Sequence, residues 1–367
     1  MTAPYADDYR QAQGRASSDW PTLVGGRRRG RRAVGAAIGA AVASCTVPAF
    51  PWAGGTGTAR LAYGSGGAIV VALPDGSDRR VRVQPPPGGI ARDPAWSPDG
   101  KRIAYAYTPP IVASRGGDPL ASFPVTDLHI LDVETGATTL LRAHERPGET
   151  LERPAWSPDG RAVFANAIMP VLEGTIVRTV IESVVRVAVT DPGAGMVVIA
   201  SGVQDVAVSP DGRTLAWVRR GTDGRVVEVV SADGTGPRGV VGPEAVDGAA
   251  WPRFSRDGRR LSFSAASPFT PVPTVTPLPR RASLGAGVAV AAGVRHGVPM
   301  DVFSVGIDGA GLARLTTVGE DSPQAAWSPD GLRLAIVSGG GTYVLRVGTT
   351  DLQPIDLAGG HGAIDWR

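Results

Sequence analysis

A seven-residue phrase that occurs five times, twice exactly and three times with changes, places the strongest constraint on how this chain folds. PAWSPDG occurs at 94–100 and again at 154–160, and related phrases occur at 206–212, 252–258 and 325–331. A motif that recurs every few tens of residues is typical of an architecture built from repeated structural units. The sequence therefore predicts a domain of similar units, each of which contains the phrase once.

The phrase itself predicts a β-hairpin. An extended segment ends at Ser97, and the Pro, Asp and Gly at 98–100 are residue types that form the corners of tight turns. Beyond the turn, Ile103 and Tyr105 alternate with smaller or polar neighbours, which is the period of a strand. Each copy therefore predicts two strands, A and B, joined by a Ser-x-Asp-Gly turn.

A second motif, a strand followed by a turn, lies downstream of each hairpin and predicts strand C. Most copies are followed by another apolar or β-branched run, which predicts strand D and completes a unit of four strands. The six copies lie at 68–76, 127–136, 184–193, 226–234, 300–309 and 341–351.

The two ends of the chain supply the parts that a sixth unit lacks. ARLAY at 59–63 has the pattern of strand B without its strand A, and GAIDWR at 362–367 has the pattern of strand A without its strand B. Pairing them removes the open sheet edge. The predicted fold is all-β: a six-bladed β-propeller of four-stranded blades, closed by pairing of the C-terminal strand with the N-terminal strands.

One position at the end of each strand A is predicted to pack between neighbouring blades. In most of the six units this position is an aromatic residue of the phrase or of its equivalent at the C-terminus. Separately, the abundance of glycine and proline agrees with an all-β chain that is rich in turns. The six positions are Trp96, Trp156, Val208, Phe254, Trp327 and Trp366.

The phrase, in the form x-x-W-S-P-D-G-x-x-[LI]-A-[YFW], resembles the TolB-like β-propeller repeat, a bacterial relative of the WD-type blade. The resemblance covers residues 58–367 and implies a propeller in an exported bacterial protein. Propellers support many unrelated activities, so it indicates a fold more strongly than a function.

Residues 1–45 have the pattern of an export signal or lipoprotein leader. RRRGRR at 27–32 precedes a short apolar stretch, as in a twin-arginine signal, and VASC at 42–45 resembles a lipobox that directs lipid attachment to Cys45. Cleavage after 43, an uncleaved anchor and a disordered basic tail are the alternatives. Residues 46–57 are predicted to be a flexible tether between the leader and the propeller. The predicted location is outside the cytoplasmic membrane, lipid-anchored at its outer face, in the periplasm or at the cell surface.

Charge and cysteine content exclude several classes of partner. The formal net charge is +3, but residues 1–44 hold seven arginines and three aspartates, so the remainder is close to neutral. A near-neutral body predicts no nucleic-acid binding, and contact with a membrane only through the leader. Cys45 is the single cysteine, so no intrachain disulfide forms. We expect a monomer.

The connections between strands B and C lie on the same face of a propeller as the links from strand D to the next strand A; we call it the B–C face. It carries the long insertions 108–126, 166–182 and 266–299, which are predicted to be irregular loops that bind a partner. An acidic collar beside the central channel is a second candidate, for a cation or a basic peptide, although Arg92 and Arg153 lie next to it and solvated loop charge is the alternative. The collar acids are Asp93, Glu152, Asp205, Asp247 and Asp321.

No catalytic motif is present. The sequence has no G-x-S-x-G or H-E-x-x-H, and its four histidines lack metal-ligand spacing. We therefore predict no catalytic residue, metal or cofactor, and a non-catalytic exported scaffold that binds an envelope protein, peptide or glycan through the B–C face. The alternative is a propeller hydrolase, lyase or lactonase with carboxylates at the channel mouth.

Overall fold

The computed structural model describes residues 59–110, 124–173, 176–191, 195–266, 299–320, 322–349, 352–360 and 362–367. The predicted leader and tether, with Cys45, and one collar acid, Asp321, lie outside these residues. Within the described part all regular structure is β, with 24 strands in six four-stranded antiparallel sheets. No described segment is a helix long and apolar enough to cross a membrane.

Each sheet is one blade, whose strands run in order from the innermost to the outermost. Blade 1 contains β24 (Ile364–Trp366), β1 (Leu61–Ser65), β2 (Ala68–Ala72) and β3 (Arg80–Val83). Blade 2 contains β4 (Ile90–Trp96), β5 (Arg102–Thr108), β6 (Asp127–Asp132) and β7 (Thr138–Arg142). Blade 3 contains β8 (Thr150–Trp156), β9 (Ala162–Glu173), β10 (Ile176–Ala188) and β11 (Met196–Ser201).

The remaining blades follow the same order. Blade 4 contains β12 (Val203–Val208), β13 (Thr214–Arg220), β14 (Arg225–Ser231) and β15 (Arg238–Val241). Blade 5 contains β16 (Asp247–Phe254), β17 (Arg260–Ala266), β18 (Asp301–Gly306) and β19 (Ala313–Arg314). Blade 6 contains β20 (Gln324–Trp327), β21 (Arg333–Ser338), β22 (Gly341–Arg346) and β23 (Leu352–Asp356).

The two ends of the chain share blade 1, as predicted. Strand β24 pairs antiparallel with β1, with Leu61 opposite Trp366 and Tyr63 opposite Ile364. The innermost strands contact one another in a closed cycle, from blade 1 through blade 6 and back. The six-bladed ring is therefore sealed by the chain ends and surrounds a central channel.

Each innermost strand ends at one of the six positions predicted to pack between blades. Trp156 packs against blade 2, and its indole Nε1 donates a hydrogen bond to the Ala95 carbonyl oxygen, 3.0 Å away. Trp366 is fully buried in a cluster with residues of blades 1 and 6. The prediction of inter-blade packing is confirmed at these positions, and this buried apolar area is a main source of stability.

The repeated phrase forms the same hydrogen-bonded turn in every copy, as the third one illustrates. The Ser209 hydroxyl donates to Asp211 Oδ1 (2.6 Å) and accepts from the Thr214 backbone N–H (2.9 Å). Asp211 Oδ1 also accepts from the Arg213 backbone N–H at 3.0 Å. Gly212 has a φ of 70°, in the left-handed region that favours glycine. The chain repeats the phrase because serine, aspartate and glycine each satisfy a different requirement of this turn.

Candidate functional site

The B–C face holds one long structure that the sequence did not predict in this form. Of the three insertions expected as irregular loops, residues 111–123 and 267–298 lie outside the described residues. The third, 166–182, belongs almost wholly to the long strands β9 and β10. Its many β-branched residues favour strands over an irregular loop.

Strands β9 and β10 extend beyond the rest of their blade as a two-stranded ribbon. Strand β8 pairs with β9 only as far as Ile168, and β11 pairs with β10 only from Ser183 onward. Beyond those points the two strands pair only with each other, with Val180 opposite Pro170 and Ile181 opposite Met169. We call the described residues of this extension, 169–173 and 176–182, the β9–β10 arm.

The arm exposes apolar side chains on both of its faces. Val180 is 46% exposed and Ile181 is 39% exposed, and consecutive residues of a strand point to opposite sides. Leu172, near the end of β9, is 38% exposed. The arm therefore presents two apolar faces and two edges that pair with no other described strand, features that natural sheets usually cover or blunt with charge.

Three of the five collar acids come together at the channel, where each forms an ion pair with an arginine. Asp93 is 1% exposed and accepts from the Arg92 guanidinium at 2.9 Å. The same guanidinium donates to Glu152 at 2.7 Å. Burial lowers the pKa of Arg92, but the attraction of Asp93 and Glu152 outweighs burial and raises it. Asp205, also 1% exposed, forms an ion pair with Arg153.

These side chains also join neighbouring blades. Asp93 accepts from the backbone N–H of Ala363 in blade 1 (2.7 Å) and from that of Arg153 in blade 3 (3.4 Å). Asp205 of blade 4 accepts from the backbone N–H of Trp251 in blade 5 at 3.2 Å. The Arg153 guanidinium lies 5.1 Å from the centre of the Trp251 ring, within reach of a cation–π interaction. The acids and arginines thus connect blades 1 to 5 around the channel.

A backbone irregularity places these groups. In β4, β8, β12 and β16 the pairing register shifts at the same point. The residues at these shifts have left-handed backbone, with φ of 56° at Asp93, 54° at Arg153, 61° at Asp205 and 53° at Trp251. A bulge re-aims side chains, and in these strands it directs them along the ring from one blade to the next.

The other candidate residues lie elsewhere. Asp247 is exposed at the start of β16, and Asp321 lies outside the described residues. His144 Nδ1 is 2.6 Å from Asp127 Oδ1. His129 packs beside Tyr105 and burial lowers its pKa. Among the described residues, no three His, Cys, Asp or Glu side chains are grouped so that they can hold a metal ion.

Sequence reasoning missed a set of charged residues at the other end of the channel. Arg253 and Asp365 each stand directly before the inter-blade packing position of their blade, Phe254 and Trp366. In the other four blades that place is occupied by an alanine: Ala95, Ala155, Ala207 and Ala326. An alignment of the six repeats at this position would have revealed the two charged residues.

Comparison with known proteins supports the fold at low sequence identity. No protein-family model matches the chain, and no curated protein matches it in sequence. TolB from Acinetobacter baumannii is similar in structure (16% identity, TM-score 0.53), over 84% of this chain and 66% of that chain, about two thirds of its length. A putative TolB from Agrobacterium tumefaciens is also similar (17% identity, TM-score 0.54), over 83% of this chain and 91% of that chain.

A third similar structure is a chain from a nidogen/laminin complex (11% identity, TM-score 0.55), matched over 84% of this chain and 98% of that chain. Identities this low establish the fold and no more. The chain has the TolB-like six-bladed propeller fold that the repeated phrase predicts.

Proposed function

We propose that this chain is a non-catalytic scaffold of the cell envelope that binds a protein, peptide or glycan partner through its B–C face. The observation that carries the proposal is the β9–β10 arm, which extends from a rigid blade and exposes Leu172, Val180 and Ile181. Exposed apolar side chains on a projecting element are typical of a binding surface. Both strands of the arm continue into blade 3, which fixes its base and favours a preformed surface.

An extended segment of a protein partner fits the arm best among these classes. The outer edge of β10 between Ile176 and Ile181 pairs with no other described strand, so its backbone groups are available to a further strand. Main-chain hydrogen bonds supply affinity in strand addition, and alternate side chains supply specificity. Arg178 and Glu173 form an ion pair near the end of the arm.

Charge substitutions on the arm test the proposal. The double variant Val180→Glu, Ile181→Lys keeps the net charge and places charges on both faces of the arm. The partner is first captured from envelope extract with the wild-type chain, identified, and purified. Binding of the purified partner to the variant is then measured by calorimetry, and we expect it to weaken at least about tenfold.

The matched control is Leu332→Glu, because Leu332 is 63% exposed directly after the Ser-x-Asp-Gly turn of blade 6, on the opposite face. It should bind the partner as the wild type does. Equal binding by the arm variant and the wild type, or equal loss in both variants, would contradict the proposed surface.

The location at the envelope is proposed from the leader. The order of basic run, apolar run and VASC at 27–45 supports export followed by lipid attachment. In bacteria that express the full chain, Cys45→Ser should release the protein from the membrane fraction and remove the lipid mass from its N-terminal peptide. A wild-type chain that remains in the cytosol would contradict the location without affecting the arm.

A further inference from the structure

An arginine inside the channel lacks the carboxylate that other interior arginines have. Arg253 lies on β16 in the second half of the strand, and its side chain is partly buried. Its Nη1 donates to the Val206 carbonyl oxygen of blade 4 at 3.4 Å, and it forms no ion pair within 4.0 Å with any described residue. Arg92 and Arg153, by contrast, each contact a carboxylate.

The side chain of Arg253 reaches from blade 5 to blade 4, and charges of other blades act on it. Burial lowers its pKa, while Asp365 of blade 1 and Asp93 of blade 2 act to raise it and Arg153 of blade 3 lowers it further. Because Val206 lies on the innermost strand of blade 4, the hydrogen bond to its carbonyl oxygen places the guanidinium on the inner side of the ring.

Two more arginines lie at the same end of the channel, next to the Ser-x-Asp-Gly turns. Arg256 donates to the Trp366 carbonyl oxygen, and Arg367 donates to the Ser97 carbonyl oxygen at 2.6 Å. Burial lowers the pKa of Arg367 and the nearby Arg256 lowers it further, whereas Asp99 and Asp365 oppose the shift. For Arg256, as for Arg253, no ion pair with a described residue exists.

One carboxylate at this end of the channel, that of Asp365, is already engaged by the backbone. Asp365 accepts from the Trp96 backbone N–H at 2.7 Å and from its neighbour Trp366 at 2.9 Å. An arginine remains charged at all ordinary pH values, and a cation held inside a protein is normally paired. The channel therefore presents guanidinium donors that lack a matching carboxylate among the described residues.

We propose that the central channel binds an oxyanion, a carboxylate or phosphate group of a ligand, with Arg253 as the principal contact and Arg256 and Arg367 at the entrance. The fork of donors on a guanidinium matches two oxygens of either group. The site lies at the end of the channel opposite the β9–β10 arm, and it stands or falls independently of the proposed function. The ligand charge is opposite to that expected from the collar acids, because three of those acids already form ion pairs with Arg92 and Arg153.

The test measures thermal unfolding of residues 58–367 and of the full chain in an oxyanion-free buffer, with phosphate or acetate added and sodium chloride used to hold ionic strength constant. We expect the melting midpoint to rise with phosphate or acetate in a saturable way, since a ligand that binds only the folded state stabilises it. The stronger of the two ions identifies the ligand group.

Arg253→Gln should weaken the apparent affinity for the ion by about tenfold to a hundredfold, since hydrogen bonds to charged groups contribute that much. In the oxyanion-free buffer the variant should melt at or above the wild-type midpoint, because it removes an unpaired interior charge. Arg253→Lys keeps the charge but loses the forked arrangement of guanidinium donors, so it should also weaken binding of the ion. This variant replaces Arg253→Gln in the test if the glutamine variant does not fold.

The matched control is Arg213→Gln, because Arg213 is exposed on the turn of blade 4. It should respond to phosphate and acetate as the wild type does. A response that survives in both Arg253 variants would place the ion elsewhere, and a midpoint that responds to chloride as much as to phosphate would show general salt stabilisation. Either result overturns the channel site.

Discussion

At the scale of single residues, the turn of the repeated phrase is stabilised by a serine hydroxyl and an aspartate carboxylate. These two groups bond to each other and accept hydrogen bonds from backbone N–H groups of the turn. Ser209 is 4% exposed, and its hydroxyl is the acceptor for the Thr214 backbone N–H at 2.9 Å. Other copies have the same bond, for example from Arg102 to Ser97. A buried donor that loses its acceptor costs more than the average hydrogen bond contributes.

Ser209→Ala should therefore lower the free energy of unfolding by about 1–3 kcal/mol, because the Thr214 N–H loses its partner. Urea denaturation followed by tryptophan fluorescence measures the change. The control is Ser231→Ala, since Ser231 is exposed in a strand of the same blade and its hydroxyl makes no hydrogen bond with a described residue. An equal loss in the two variants would show that the turn bond contributes little.

The turn aspartates also predict how stability depends on pH. Hydrogen bonds from the turn serine lower the pKa of Asp159, Asp211, Asp257 and Asp330 below the usual 3.8. Burial acts to raise the pKa of Asp99, but the bond from Ser97 and other contacts outweigh it and the pKa is lowered. Because the folded state holds these protons less tightly, the stabilisation is complete above the unfolded pKa and is lost as pH falls through the folded values.

The urea midpoint should thus be constant from neutral pH down to about pH 5 and fall steeply below about pH 4. Asp211→Asn keeps an acceptor in the turn but removes the titrating group, so its midpoint should fall less steeply between about pH 4 and pH 2 than that of the wild type. A wild-type midpoint that rises on acidification would contradict the assignment.

At the scale of strands, the bulges of the inner strands decide the role of the collar acids. The sequence predicted Asp93, Glu152 and Asp205 beside the channel, with Arg92 and Arg153 as their neighbours. It did not reveal that these side chains bond to the next blade. These inter-blade bonds depend on the left-handed backbone at the bulge and on which blades are adjacent. Neither feature can be recognised from the residues near these positions in the sequence.

Asp93→Ala should lower the free energy of unfolding by about 3–5 kcal/mol, because it removes one of the two carboxylate partners of the partly buried Arg92 and leaves two backbone N–H groups without an acceptor. Asp247→Ala is the control, since Asp247 is an exposed collar acid at the start of β16, and its loss should change stability by less than about 0.5 kcal/mol. Chemical denaturation at neutral pH compares the two. Similar small effects would mean that Asp93 is not a structural bridge.

At the scale of the whole molecule, the sequence predicts the fold much better than the site. The phrase recurs and its serine, aspartate and glycine act locally, so the number of blades and the partners of each strand follow from the order of motifs. The β9–β10 arm was expected as an irregular loop because its length is unusual for a connection, although its many β-branched residues favour strands. Arg253 was missed because its environment arises from residues of four other blades, far apart in the sequence.

The closure of the ring leads to the last prediction. Trp366 is fully buried and packs with Ala326 and Val337 of blade 6, so Trp366→Ala should lower the free energy of unfolding by about 3–5 kcal/mol. Leu357→Ala is the control, because Leu357 is 59% exposed a short distance earlier in the chain, and a change below about 0.5 kcal/mol is expected there.

A truncation that removes residues 364–367 tests the closure of the ring by β24, in addition to the packing of Trp366. The truncation deletes β24, so β1 loses its pairing at Leu61–Tyr63 and becomes an edge strand. Hydrogen exchange followed by mass spectrometry should show faster exchange at 61–65 than in the full chain, while β12 and β13 in blade 4, on the other side of the ring, change less. Uniform acceleration in all blades would show that the ring opens only by global unfolding, and unchanged exchange at 61–65 would mean that β24 does not close the ring in solution.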